Sequence, residues 1–219
     1  MTTIDTASPG DIWMLVKRGE AVVVDLRSPA AFARGHLAGA ISVLFSERDL
    51  AERVAIALPD ARPVALVASH SFEAELARRQ LTTGGRACLG ALPADDAAWQ
   101  EAGIPWEVLP EVPVTSLAGG TAGNDRVVLD VREPMEWETG YVPGATLIPL
   151  GRVRDELDRL PRDREIAVIC EAGVRSATAA SVLRAAGFPR VANVPEGTAT
   201  YRAAGWPLAY PPAEESEGR

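Results

Sequence analysis

Cys170, Gly173 and Arg175 fall within one stretch of six positions. The chemistry such a set supports is nucleophilic: a thiolate held among backbone N–H groups, with a cation beside it. Ile166-Ala167-Val168-Ile169, just before, is a short apolar run rich in β-branched residues, the pattern of a strand buried on both faces. Ser176 opens a run of small residues, Ala177 to Ala186, of helical length and ending at Gly187. A thiol between the two would sit at the carboxyl end of a strand and face the N–H groups of a helix start, where α/β proteins bind anions. Gly173 permits the turn that points amides inward. Arg175 adds a fixed charge, and Ser176 reads as the helix N-cap. Glu171, Ala172, Gly173, Val174 and Ser176 are thus the candidate binding loop around Cys170. Taken alone, the cysteine is as readily a buried core residue, since free cysteine is among the most buried residue types.

The bulk numbers narrow the function classes. The 219 residues, 47% hydrophobic, suffice for one large domain or two small ones with real cores. A net charge of −8 argues against nucleic-acid or anionic-membrane partners. No apolar stretch reaches the roughly 20 residues of a membrane helix, and Met1 to Asp5 lack the basic start of a secretory signal. Two cysteines, Cys88 and Cys170, are too few for a disulfide framework, so a reducing cytoplasm is expected. With His36 and His70 they give no zinc spacing, and neither a metal nor another cofactor is expected.

The elements that must position the loop come from an internal repeat. Val22-Val23-Val24-Asp25-Leu26-Arg27 returns as Val127-Val128-Leu129-Asp130-Val131-Arg132. The stretch Phe32 to Ala40 returns at Trp137 to Ala145, and Trp99 to Pro105 at Tyr201 to Pro207. Each copy alternates short apolar strands with helical segments, which gives an α/β fold: two domains, each a small, mostly parallel sheet flanked by helices. The expected domains are 1–107 and 112–210, joined near Trp106 to Val114, with 211–219 as a disordered tail. In the first copy strands are expected near Val22–Leu26, Ala40–Val43, Pro63–Val67 and Ala87–Leu89. Its helices are expected near Asp11–Gly19, Pro29–Arg34, Glu47–Leu58, Phe72–Leu81 and Asp96–Ala102. In the second copy strands are expected near Val127–Val131, Ala145–Ile148, Glu165–Ile169 and Arg190–Asn193. Its helices are expected near Pro134–Thr139, Val153–Leu160, Ser176–Ala186 and Thr198–Ala204. Ser116 to Asp125 is too rich in glycine for a long helix.

Asp130-Val131-Arg132-Glu133, then Glu136-Trp137 through Gly140-Tyr141-Val142-Pro143-Gly144-Ala145, then Cys170 to Ser176, and finally Gly205-Trp206-Pro207, stand in an order that resembles the rhodanese sulfurtransferases. The resemblance covers nearly the whole chain when the degenerate first copy is included. It implies ping-pong persulfide transfer, in which the Cys170 thiolate takes the outer sulfur of a small-molecule or protein donor and passes it to a thiophilic acceptor. Cys170 and Arg175 would be catalytic, while Asp130 and Arg132 would support the loop as a carboxylate–guanidinium pair. No general base is required, which suits a second copy without histidine. Related phosphatase folds carry one more residue between cysteine and arginine, so the tighter loop implies sulfur over phosphate. Thiosulfate, mercaptopyruvate and thiol persulfides are the donors the resemblance implies. Glu171, acidic beside the cradle, is expected to repel a dianion such as thiosulfate unless it points into solvent. In the first copy Ala68 stands at the place of Cys170 and Glu73 at that of Arg175, which predicts a copy unable to hold a persulfide. A noncatalytic binding or regulatory module is the competing reading.

Overall fold

The computed structural model describes residues 8–121 and 125–212. The expectations for the extreme N-terminus, for 122–124 and for the tail from 213 onward lie outside the described residues.

Ser8 caps the first helix, α1 (Pro9–Lys17), through a reciprocal capping box with Asp11. The first copy continues with β1 (Val22–Asp25), α2 (Pro29–Arg34), β2 (His36–Leu37), β3 (Ile41–Ser42), α3 (Leu50–Ala57), β4 (Val64–Val67), α4 (Ser71–Thr83), β5 (Cys88–Leu92), α5 (Asp96–Glu101) and β6 (Trp106–Glu107). The second has β7 (Arg126–Asp130), α6 (Pro134–Trp137), β8 (Thr146–Leu147), β9 (Glu165–Ile169), α7 (Val174–Ala185), β10 (Val191–Asn193) and α8 (Gly197–Ala203). Each copy builds a four-stranded parallel sheet, β3-β1-β4-β5 and β8-β7-β9-β10, so the repeat is kept strand by strand. The two middle strands of each sheet, β1 with β4 and β7 with β9, are buried toward their carboxyl halves and apolar there apart from the closing Asp25 and Asp130, as strands covered on both faces must be.

Three expectations change. Val153–Leu160 is not a helix; short 3₁₀ turns at Leu150–Arg152 and Leu157–Arg159 replace it. Pro149, Pro161 and the polar Arg-Asp-Glu-Leu-Asp-Arg sequence between leave too little apolar surface to hold a continuous helix there. The stretch from Trp106 is not a free linker. β6 pairs antiparallel with β2, the Leu109 N–H reaches the Ala33 carbonyl, and the Asn193 N–H reaches the Pro110 carbonyl. Finally, α7 begins at Val174, two residues ahead of the expected start.

The two copies are not separate bodies. One cluster of buried side chains runs from Val24, Leu50 and Val54 of the first copy to Leu129, Val168 and Leu183 of the second. Helix α7 lies at its centre, buried from Ser176 to Leu183, and packs against both its own sheet and β3 of the first copy. The Ser42 N–H donates to the Ser181 hydroxyl across that contact, at 3.0 Å. A helix enclosed on all sides cannot keep a polar face, and only small side chains let two sheets approach it closely. That is the reason for the alanine and serine run.

Candidate active site

Cys170 stands at the end of β9, 1% exposed, and the chain then turns through Glu171 and Ala172 into α7. Gly173, not Ser176, is the N-cap, with φ 81°. A side chain there would be strained by that φ, and its Cβ would lie 2.2 Å from the Pro195 carbonyl oxygen. Gly197 (φ 67°) makes the matching approach from the other side, where a Cβ would lie 2.2 Å from the Glu171 carbonyl oxygen. The loop is tied down further by the Thr198 N–H to the Cys170 carbonyl (2.8 Å) and the Ala199 N–H to the Glu171 carbonyl (3.1 Å). Asn193 Nδ2 donates to the Gly173 carbonyl at 3.4 Å. With these carbonyls bound outward to the following segment, the N–H groups of Val174, Arg175 and Ser176 form a first helical turn without intrahelical acceptors. Such a turn favours a negative charge beside it.

Ser176 is buried in that first turn, and its Oγ lies 3.3 Å from the Cys170 Sγ. It is a neighbour of the thiol and caps nothing. Arg175 does not reach into the loop alone. Its guanidinium is forked onto the Glu136 carboxylate at 2.6 and 2.7 Å. The pairing raises the Arg175 pKa and holds Glu136 at about 2. Glu136 is in turn fixed by accepting the Glu133 N–H in a capping box at α6.

Glu171 corrects the charge expectation. Its carboxylate is held by Arg202 at 2.5 Å, by the Thr198 hydroxyl at 2.9 Å, and faces Arg132 at 3.8 Å. Arg202 is the main cause of its lowered pKa. An acid so paired is neither loose in solvent nor an uncompensated charge at the mouth of the loop, so repulsion of a dianion by Glu171 is largely cancelled. Asp130 and Arg132 are fully buried and paired at 2.8 Å. All five guanidinium N–H groups of Arg132 are used, on Asp130, the Glu136 and Gly140 carbonyls and the Thr139 hydroxyl. None is left for a ligand. The pair fastens the end of β7 to the segment that carries Glu136.

A cleft of about 530 Å³ opens beside the loop through Val174 and Arg175. Its opposite wall is the first copy's: Val43, Leu44 and Ile56 face Leu150 and Gly151. Thus the first copy supplies one wall of the cleft beside the start of α7. The Glu136–Arg175 and Glu171–Arg202 pairings and the α3 wall have no local signal in the sequence, because the partners lie tens of residues apart.

The profile of the rhodanese-like domain matches residues 8–100 and again 114–204. A Bacillus subtilis relative, YrkF, is 43% identical over 70 residues, 32% of this chain, and the match spans only 38% of YrkF. A protein named sulfurtransferase from Allochromatium vinosum is 30% identical over 102 residues, covering 46% of this chain and 95% of its own. Among solved structures, thiosulfate sulfurtransferase from Pseudomonas aeruginosa aligns over 91% of this chain and 42% of its own, at 22% identity and a TM-score of 0.38. Both copies are matched, and together they make up most of the sequence, so the chain belongs to the rhodanese-like domain family as a tandem of two such domains.

Proposed function

We propose that the protein is a rhodanese-type sulfurtransferase that carries sulfur as a Cys170 persulfide. The observation that carries this reading is the contrast within the chain. Only the second copy joins a thiol at the strand end to a glycine-turned helix start with a fixed arginine. The Cys170 thiolate attacks the outer sulfur of a donor, the donor's S–S bond breaks, and the rest of the donor leaves with the electron pair. A thiophilic acceptor then takes the outer sulfur and restores the thiolate. The N–H groups of the first turn of α7 stabilise the anion at each stage. Arg175, held by Glu136, fixes the position of its guanidinium at the start of α7, and the backbone N–H groups carry the anion stabilisation. The burial of Cys170 suits a terminal sulfur atom better than a bulky electrophile. Donor, acceptor and a cytoplasmic setting belong to this proposal.

Intact-mass measurement after incubation with thiosulfate, mercaptopyruvate or glutathione persulfide tests it. The expected result is a one-sulfur adduct that cyanide removes and Cys170→Ser abolishes. If no donor gives an adduct, the reading fails and a noncatalytic binding module takes its place.

A further inference from the structure

The cleft beside the loop is apolar where it could have been cationic. Both of its arginines already hold carboxylates: Arg175 holds Glu136, and Arg53 holds Asp49 at 2.9 Å. Glu133 adds a further carboxylate to the same wall. A small dianion therefore finds no unpaired cation on this wall and would leave Val43, Leu44, Leu150 and Val174 in contact with water. Ile56 of α3 is 41% exposed and faces the space directly. At about 530 Å³ the volume falls in the range that takes small organic molecules.

We propose that the cleft between the two copies is a specificity subsite for an organic hydropersulfide, R–S–SH, whose uncharged, apolar R group lies against Ile56 and Leu150. The inference rests on the sulfurtransferase reading and adds the class of donor. The step balances as Cys170–S⁻ with R–S–SH giving Cys170–S–SH and R–S⁻. The thiolate bonds to the outer sulfur, the donor S–S bond breaks, the transferred sulfur keeps its proton, and R–S⁻ leaves. On this reading the catalytically degenerate first copy sets donor choice, through α3.

The test compares Cys170 loading by benzyl hydropersulfide, glutathione persulfide and thiosulfate, followed by intact mass across a concentration series. In the native chain the benzyl donor should load with a kcat/KM about tenfold above either charged donor, a step typical of an apolar pocket. Ile56→Asp should cut the benzyl-to-thiosulfate ratio about tenfold, with the loss in KM rather than kcat. Gly151→Val supplies a second route. Its new Cβ would lie 3.8 Å from Ile56, an ordinary contact, so the branched side chain narrows the cleft and the ratio should fall again. Because the ratio is taken within each variant, a partly unfolded sample does not mimic the result. If the native ratio is near one, or neither substitution moves it while both donors still load, the subsite proposal is overturned and the sulfurtransferase reading stands. If no donor loads the native chain, both fall.

Discussion

The two copies share a brace and differ in a loop. In the first, Arg27 is paired with Asp25 at 2.6 Å and donates to the Gly35 carbonyl at 2.7 Å. In the second, Arg132 is paired with Asp130 at 2.8 Å and donates to the Gly140 carbonyl at 2.9 Å. A contact kept in a copy that has lost its thiol serves the fold, not the reaction. It fastens the strand end to the segment after the next helix. The loop has gone the other way. Cys170, Gly173 and Arg175 correspond to Ala68, Ser71 and Glu73, and α4 starts directly at Ser71. The helices that follow differ as well. α7 is enclosed between two sheets, whereas α4 carries an exposed charged face with Glu75 bridging Arg78 and Arg79. The helix of the thiol-bearing copy is thus the one the whole molecule is packed around.

The largest effect expected from this comparison is all-or-none. In a Cys170→Ser background, Ala68→Cys should give no persulfide with any donor, because Glu73 sits at the helix start where an anion would need a cation. An adduct at residue 68 would show that the loop difference is not what separates the copies. Next in size is the brace. Arg132→Met leaves the fully buried Asp130 unpaired and should cost about 3–5 kcal/mol. Arg27→Met, at the slightly more open first-copy pair, should cost less. Urea midpoints rank the two, and the reverse order would contradict the burial argument.

Gly173→Ala should cost about 2 kcal/mol or more, through its positive φ and the collision with Pro195. It should also slow sulfur loading sharply, whereas Ser71→Ala in the first copy should change little. Equal stabilities for the two variants would mean that the loop is not held as tightly as its contacts require. A smaller effect concerns acid. Glu136 is held at about 2, mainly by its hydrogen bonds to Arg175. Its folded pKa lies below the unfolded carboxylate value near 4.3, so its contribution is full above that value and is lost as pH falls through about 2. Partial exposure limits it to about 1 kcal/mol. The pH dependence of stability between about 5 and 2 should be shallower in Glu136→Gln than in the native chain. Smallest of all, Glu171→Gln should alter thiosulfate loading by less than about twofold, since Arg202 already neutralises the charge. A rise of tenfold would restore the repulsion that the sequence suggested.

How far the sequence could be read follows from the range of each interaction. Both sheets, the duplication and the Cys170 loop were legible, because β-branched runs, glycine turns and the repeat are local patterns or matches of the chain to itself. Helix α7 starts two residues ahead of Ser176, which has the side chain of an N-cap but is drawn inward beside Cys170. Val153, Leu157 and Leu160 are spaced as on a helix face, but the proline-bounded, charged stretch settles into short turns. Glu107 shows the limit clearly. In sequence it is a surface-type residue in a linker. In the fold it faces His36 at 3.8 Å, accepts the Gly39 N–H, and binds Arg184 of α7 at 2.5 Å, joining the two copies. Those contacts hold its carboxyl at about 2.

By itself, then, the sequence determined that the chain is a duplicated α/β protein in which one copy carries a thiol between strand and helix and the other has alanine there, because strand, turn and helix-start chemistry are written in neighbouring residues. Only the tertiary structure decided how charge is distributed around that loop and what stands across from it. Arg202 neutralises Glu171, Glu136 anchors Arg175, and α3 of the first copy walls the cleft. Each of these joins residues far apart in the chain, and such pairings exist only once a shared core has set the two sheets around α7.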